Sequence, residues 1–365
     1  MTTAFLHEYY LTNYTKCSRG QELLASWEVL AFTSHSFMVV LTPLYIFGGF
    51  CILYKTPVSM KLVKLSLLNW HIWCCIYDIT VTSLMTPYFF FPLLAGFPVG
   101  LFGFLGVPVP VQLVLAAAIC YGTLFSMTSV FENRFNILPI NQFAIKNTST
   151  KAVYYGTRLF LFTSNILIIA CNFPDQQQAV PILLTQLPCP SEEFFRNPVF
   201  VITHEPPWRE YCIALTVITF SAEALQIFFF CGACMYFLFF SQKFALSSKT
   251  RDMQVRFFFM ACAQISVPVF FLLIPFCYFC FSVFSGYYNQ SLNNAFILFL
   301  PMHGLSSTIV MLCVHKPYRD YIISLNPFNK NRKTIVPTPR LSLFTHHSFS
   351  FLKLSGTRKL TLSSG

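Results

Sequence analysis

The sequence has little charge. Only 10% of its 365 residues are Asp, Glu, Lys or Arg, where a soluble globular chain carries about 25%. The hydrophobic share is 55%, and the mean hydropathy is +0.59. A soluble fold cannot coat that much apolar side chain with so few polar residues. Fibrous, disordered, nucleic-acid-coating and disulfide-scaffold classes are excluded as well, since each needs more polar residues or denser cysteine. Catalytic signatures are also missing. The chain has no G-x-S-x-G, no Walker loop, no H-E-x-x-H and no paired carboxylates within one apolar run, so an enzyme is not expected. There is no internal repeat of the kind found in transporter halves. The first 25 residues carry Glu8, Lys16, Arg19 and Glu22 and no short apolar h-region, so the first span is expected to act as its own insertion signal.

What is present in excess is apolar length and aromatics, with 44 Phe and 18% aromatic residues. A membrane-spanning helix needs about 20 apolar residues. Seven runs meet that length: Leu30 to Tyr54, Leu65 to Pro87, Pro110 to Phe131, Val153 to Phe173, Tyr211 to Phe240, Phe257 to Phe284, and Ala295 to Val314. The expected fold is an all-α membrane protein, a seven-helix bundle over residues 30–314. A 1–29 arm precedes it and a basic 315–365 tail follows. Pro87 to Pro110 is crowded with proline and glycine and reads as an apolar loop. Pro43, Pro268, Pro275 and Pro301 lie within spans, with Pro139 just past the third. Each is expected to kink its helix or free a carbonyl.

The net charge of +11 reads as a topology label. Assigning every Lys and Arg to the loops puts 20 of 24 on one face, with Arg158 counted at the start of the fourth span. Only Lys16, Arg19, Arg196 and Arg209 fall on the other. By the positive-inside rule the N-terminus is outside and the tail inside. Asn13-Tyr14-Thr15 is a glycosylation acceptor on the outer side. Asn289-Gln290-Ser291 lies close to the bilayer, and Asn147-Thr148-Ser149 falls inside.

Of 14 cysteines, only Cys17 and Cys189 lie in outer polar segments. They are expected to pair with each other, unless Cys212 takes the place of one of them. Cys231/Cys234 and Cys277/Cys280 have x-x spacing, but no His or carboxylate accompanies them, so small-residue packing is the better reading than a metal site. Neither metal nor cofactor is expected.

Charges inside a bilayer are rare and mark function or helix pairing. Asp78 in the second span and Glu223 in the fifth are the candidates, with His303, His35, His71, Asn69, Asn165, Gln226 and Gln264 as uncharged companions. Asp78 suits a switch or ion site, and Glu223 a ligand counter-ion. Helix–helix hydrogen bonding is the plain alternative for both. The seventh span contains no lysine, which excludes a retinal Schiff base there. At the inner end of the third span stands Glu132-Asn133-Arg134, where acid and arginine can form a local ion pair or a solvated charge cluster.

Several strings taken together resemble a known family. Lys55-Thr56-Pro57 with Met60-Lys61, then Leu67-Leu68-Asn69-Trp70-His71, are similar to the first inner loop and second helix of the nematode serpentine receptors of class H. Pro87-Tyr88, Phe91-Pro92-Leu93, Phe131-Glu132-Asn133-Arg134, Leu187-Pro188-Cys189, Ser248-Lys249-Thr250-Arg251, His303-Gly304-Leu305 and His315-Lys316-Pro317-Tyr318-Arg319 follow in order and spacing. The resemblance implies a G-protein-coupled chemoreceptor in the plasma membrane of sensory cilia, binding a small molecule in the outer half of the bundle. A heterotrimeric G protein and membrane lipids are its implied partners, and nucleic acid is not. It also implies that Glu132-Asn133-Arg134 is the coupling switch, and it supports the Cys17–Cys189 pairing. The Ser- and Thr-rich tail after Arg332 departs from the family pattern. A seven-span channel or transporter is the alternative reading.

Overall fold

The computed structural model describes residues 2–17, 22–138, 141, 143–240 and 248–325. Arg19, Pro139, Lys243 and the tail from 326 onward lie outside the described residues, and so do the side chains of Ser248, Lys249 and Thr250. A short helix, α1 (Thr2–Thr12), opens the chain. The bundle helices are α2 (Trp27–Lys55), α3 (Lys61–Ile79), α5 (Val109–Ile137), α6 (Thr148–Ala170), α9 (Pro206–Met235), α10 (Ser248–Ser285) and the broken pair α11 (Gln290–Phe299) and α12 (Met302–Val314). Between α3 and α5 lie strands β1 (Pro87–Phe89) and β2 (Ala95–Pro98) and the single turn α4 (Leu101–Phe104). Between α6 and α9 lie α7 (Gln176–Gln186), α8 (Glu193–Arg196) and strand β3 (Phe200–Val201). Helix α13 (Lys316–Leu325) closes the described chain. Residues up to Ile323 form one unit; of the second, Ser324–Gly365, only 324–325 are described.

The helix ends follow local chemistry. Ser26 caps α2 by accepting from the Glu28 and Val29 amides, which satisfies two otherwise orphan donors. Asn147, Asp175 and Asn289 cap α6, α7 and α11 in the same way. Pro206 and Pro207 open α9, where a missing N–H costs nothing. Gly286, with φ of +70°, ends α10 in a left-handed conformation that a side chain would strain. Pro301 interrupts the seventh span and separates α11 from α12.

Among the described residues, six helices are long and apolar enough to cross a membrane, counting α11 and α12 as one and with the last turns of α9 included. Helix α3 is the seventh member. It carries Lys61, Lys64, Asn69, His71 and Asp78 and is sandwiched between α2 and α5. It is shorter than its sequence run suggests, because it passes into a π-helical turn at Thr80–Leu84. Close approach of α3 and α5 depends on Gly122, where a Cβ would fall 2.2 Å from the Trp73 ring. Small residues at such points let membrane helices approach. Helix α6 has no buried residue, as suits a helix facing lipid.

The segment Pro87 to Pro110 joins two spans, as the sequence reading has it, but it is ordered beyond that reading: residues 87–98 form an antiparallel hairpin, with Tyr88 opposite Phe97 and Phe89 opposite Gly96, and α4 follows. β3 adds to the far edge through Ala95 opposite Val201. Glycine is required at position 96, since a Cβ there would lie 2.3 Å from the Tyr88 carbonyl. Tyr88, Phe90, Phe194, Leu183 and Leu184 are wholly buried beneath this cap, together with Leu30 of α2 and Ile297 of α11. The aromatic residues therefore build a lid over the N-terminal end of the bundle.

Candidate functional site

Beneath the lid lies a cavity of about 440 Å³. Its roof is Met85 at the end of the π-helical turn, Pro87, Phe89, Phe91 and Leu94 of the hairpin, and Ile202 after β3. Its walls come from α5 (Leu113, Ala116, Ala117), α6 (Ile166, Ile169, Phe173), α9 (Cys212, Thr216) and α10 (Phe279). Its floor is Tyr77, Cys120, Phe220, Phe276 and Leu300. No charged residue lines it. Such a chamber, mostly apolar with a few placed polar groups, suits a small organic molecule.

Directly past the floor is a buried polar cluster. Tyr45 of α2 donates its hydroxyl to Asp78 Oδ2. His303 Nδ1 lies 3.1 Å from Asp78 Oδ1, while its better-aligned partner is the Leu300 carbonyl at 2.9 Å. The Asp78–His303 contact is thus electrostatic rather than a well-formed hydrogen bond. Gly304 makes room for it: a Cβ there would meet Asp78 Oδ2 at 2.2 Å and the Tyr45 hydroxyl at 2.6 Å. Trp70 Nε1 donates to Ser307 Oγ at 2.7 Å, and His71 Nε2 sits 3.0 Å from the Tyr45 carbonyl. Helices α2, α3 and α12 are pinned together here. Of the companions marked in the sequence, His71 joins this region, Asn69 instead donates to Ser126 of α5 at 2.9 Å, and His35 is exposed.

Glu223 is not a free counter-ion. Arg158 Nη2 pairs with Glu223 Oε1, Thr128 donates to Oε2 at 2.6 Å, and the guanidinium lies 4.5 Å from the Phe125 ring centroid. Arg158, counted with the inner-face charges at the start of the fourth span, is held by its helix against α9 instead. Tyr154 to Gln226 at 2.7 Å and Tyr211 to Asn165 add further polar ties between α6 and α9. The sequence reading missed Arg158 although the signal was there, as it is an arginine inside an apolar run with an acid in another.

At the opposite end of the bundle, the local ion pair that Glu132-Asn133-Arg134 could make does not form. Residues two apart point to different faces of a helix. Nor is the triplet a solvated cluster, since Glu132 and Arg134 are both buried. Glu132 Oε1 accepts from Tyr155 at 2.6 Å and from Asn136 at 3.3 Å. Arg134 lies over the Phe257 ring of α10, 5.4 Å from its centroid. Asn133 is half-buried. Burial and the neighbouring Arg134 charge hold the His315 imidazole down to about 4. Its Nε2 meets Gln264 Oε1 at 3.4 Å, so His315 carries the end of α12 to α10 and to Arg134. Tyr318, wholly buried, shares a 2.7 Å hydrogen bond with Thr56. Lys316 pairs with Asp320, Pro317 is half-buried, and Arg319 donates to the Cys313 carbonyl at 3.2 Å.

Cys17 and Cys189 are disulfide-bonded and Cys212 is free. The bond fastens α1 over α7 and α8, where Tyr9 donates to the Pro188 carbonyl at 3.1 Å and Tyr10 to Glu192 at 3.0 Å. That hydrogen bond and the Glu192 charge raise the Tyr10 hydroxyl above its usual range. Asn13 is exposed at the end of α1. Cys231 lies 4.0 Å from Cys262 across α9 and α10, and no metal-holding cluster of three is found among the described residues.

A seven-helix bundle with a lidded apolar chamber and buried polar pins is the architecture of a serpentine membrane receptor. The family described as serpentine type 7TM GPCR chemoreceptor Srh matches residues 25–328, and the chain belongs to that family. It is also similar to serpentine receptor class H-72 of Caenorhabditis elegans, with 34% identity over 352 residues, covering 94% of this chain and 99% of the relative. The family is one of chemosensory receptors integral to the membrane, not of enzymes.

Proposed function

We propose that the chain is a G-protein-coupled chemoreceptor that detects a small odorant in the lidded cavity. The cavity itself carries this reading: an uncharged chamber of about 440 Å³ whose floor adjoins the Asp78–His303 cluster. Ligand that fits one helix packing better than another shifts the population toward it. The floor residues Leu300 and Phe276 adjoin Pro301, which breaks the seventh span, and Pro275 within α10, so a change there bears on both helices.

At that end, Arg134 over Phe257 is the proposed switch, with Glu132 and Asn133 beside it. Separation of α10 from α5 would free the guanidinium and open a basic surface to a heterotrimeric G protein. The charge split of 20 to 4 supports placing this end in the cytoplasm, with Asn13, the disulfide and the lid outside. Residence in the plasma membrane of sensory cilia and glycosylation at Asn13 belong to the same reading. The test is an odorant panel applied to the expressed full chain, read by calcium or cAMP, with Arg134→Ala as a variant that should reach the surface but not signal.

A further inference from the structure

The cavity's polar groups are almost all spoken for within the protein. Thr80 Oγ1 donates to the Ile76 carbonyl at 2.7 Å, and Thr216 Oγ1 to the Cys212 carbonyl at 2.9 Å. Tyr278 donates to Asn293 Oδ1 at 2.6 Å. The Asn293 amide in turn donates to the Phe91 carbonyl at 3.0 Å. None of these offers a ready donor to a guest.

Tyr77 differs. It lines the floor, its side chain is more than nine-tenths buried at 8% exposure, and its hydroxyl donates to no described residue. That hydroxyl is not sealed off by protein, so it is free to donate to a molecule held in the cavity. Its ring stands edge-on to His303, with centroids 5.0 Å apart at 88°. The unpartnered hydroxyl therefore sits on the residue that separates the cavity from the Asp78–His303 pair.

We propose that Tyr77 is the specificity-determining residue of the cavity, and that its ligands are uncharged aromatic or hydrocarbon molecules bearing one hydrogen-bond acceptor, such as a ketone, ester or ether oxygen, that takes the Tyr77 proton donor. This rests on the cavity being the receptor's ligand site. The apolar walls exclude ions, because nothing in the lining repays the desolvation of a charge. The phenyl rings of Phe89, Phe91, Phe220 and Phe276 supply stacking area. The acceptor's place at Tyr77 sets the ligand's depth, and it puts the bound molecule against the ring that touches His303.

The test uses purified full-length receptor and three probes built on one diphenylmethane core: benzophenone, diphenylmethane and 4-benzoylbenzoate, which adds a ring carboxylate. Affinity is read from the concentration dependence of thermal stabilisation. The wild type should bind benzophenone about tenfold more tightly than diphenylmethane, the size expected of one satisfied buried hydrogen bond, and should not bind the carboxylate. Tyr77→Phe keeps the ring and loses the donor, so it should bind the two neutral probes equally while retaining diphenylmethane affinity. A Tyr77→Phe variant that keeps the wild-type preference overturns the proposal, as does tight binding of the carboxylate or binding of none of the three. Failure of the chemoreceptor reading has a different signature: Tyr77-dependent selectivity in the binding assay with no ligand-driven signalling in cells. Conversely, robust signalling to charged odorants alone would keep the receptor reading and sink this one.

Discussion

Asp78 and His303 approach to 3.1 Å with both side chains wholly buried, and Gly304 is the residue that allows it. A Cβ at 304 would collide with Asp78 Oδ2. Gly304→Ala should therefore destabilise the bundle by about 1–3 kcal/mol, as overpacking does. Asp78→Ala should cost about 3–5 kcal/mol, the usual loss when one partner of a buried pair is removed. Melting of the full chain in detergent measures both. An unchanged melting temperature for Gly304→Ala would show that Asp78 does not sit against α12.

Arg158 and Glu223 should behave as one unit. Arg158→Met and Glu223→Gln each strand a mostly buried partner, at about 3–5 kcal/mol. The double variant strands neither and should lose clearly less than the sum. Strict additivity in the cycle would mean that the two charges do not meet.

Cys17→Ser and Cys189→Ser should each lower stability by about 2–4 kcal/mol, and together they should do no more than either alone. Cys212→Ser should leave the melting temperature where it is, because that thiol is free. Thiol labelling after mild reduction checks which cysteines were paired.

His315 gives the stability a pH dependence of known sign. Its folded-state pKa of about 4 lies below the ordinary value near 6.5, so the unfolded chain binds the proton more readily. The contribution is full above about 6.5 and falls as pH drops toward 4. Melting temperatures taken across that window should fall more steeply for the wild type than for His315→Gln. Parallel curves would place the imidazole in solvent.

Much of the bundle was legible because apolar length and charge placement are one-dimensional signals. The runs around Leu30 and Pro110 are helical where the hydropathy rises, and Pro301 breaks the seventh span because proline has no N–H to give. The lid was not legible. Its phenylalanines alternate too briefly for a strand pattern, and the prolines and glycines that mark a loop also permit a hairpin. Of the cluster, Asp78 and His303 stand out as polar residues in apolar runs. Tyr45 does not, since a tyrosine in a membrane helix looks like any other aromatic. Arg158 was counted with the loop charges for lying one turn into its apolar run, yet its helix begins earlier, at Thr148, and carries it to Glu223. Glu132 and Arg134 sit close in sequence but face apart, which only helix geometry reveals.

The claim that the cavity is the ligand site is tested most directly by filling it. Ala117 lies on the α5 wall, and Ala117→Phe would occupy the space a ligand needs. Dose–response curves of wild type and Ala117→Phe, at matched surface expression, should show odorant-driven signalling in the first and at least a tenfold weaker response in the second. An unchanged response in Ala117→Phe would place the ligand elsewhere and contradict the account.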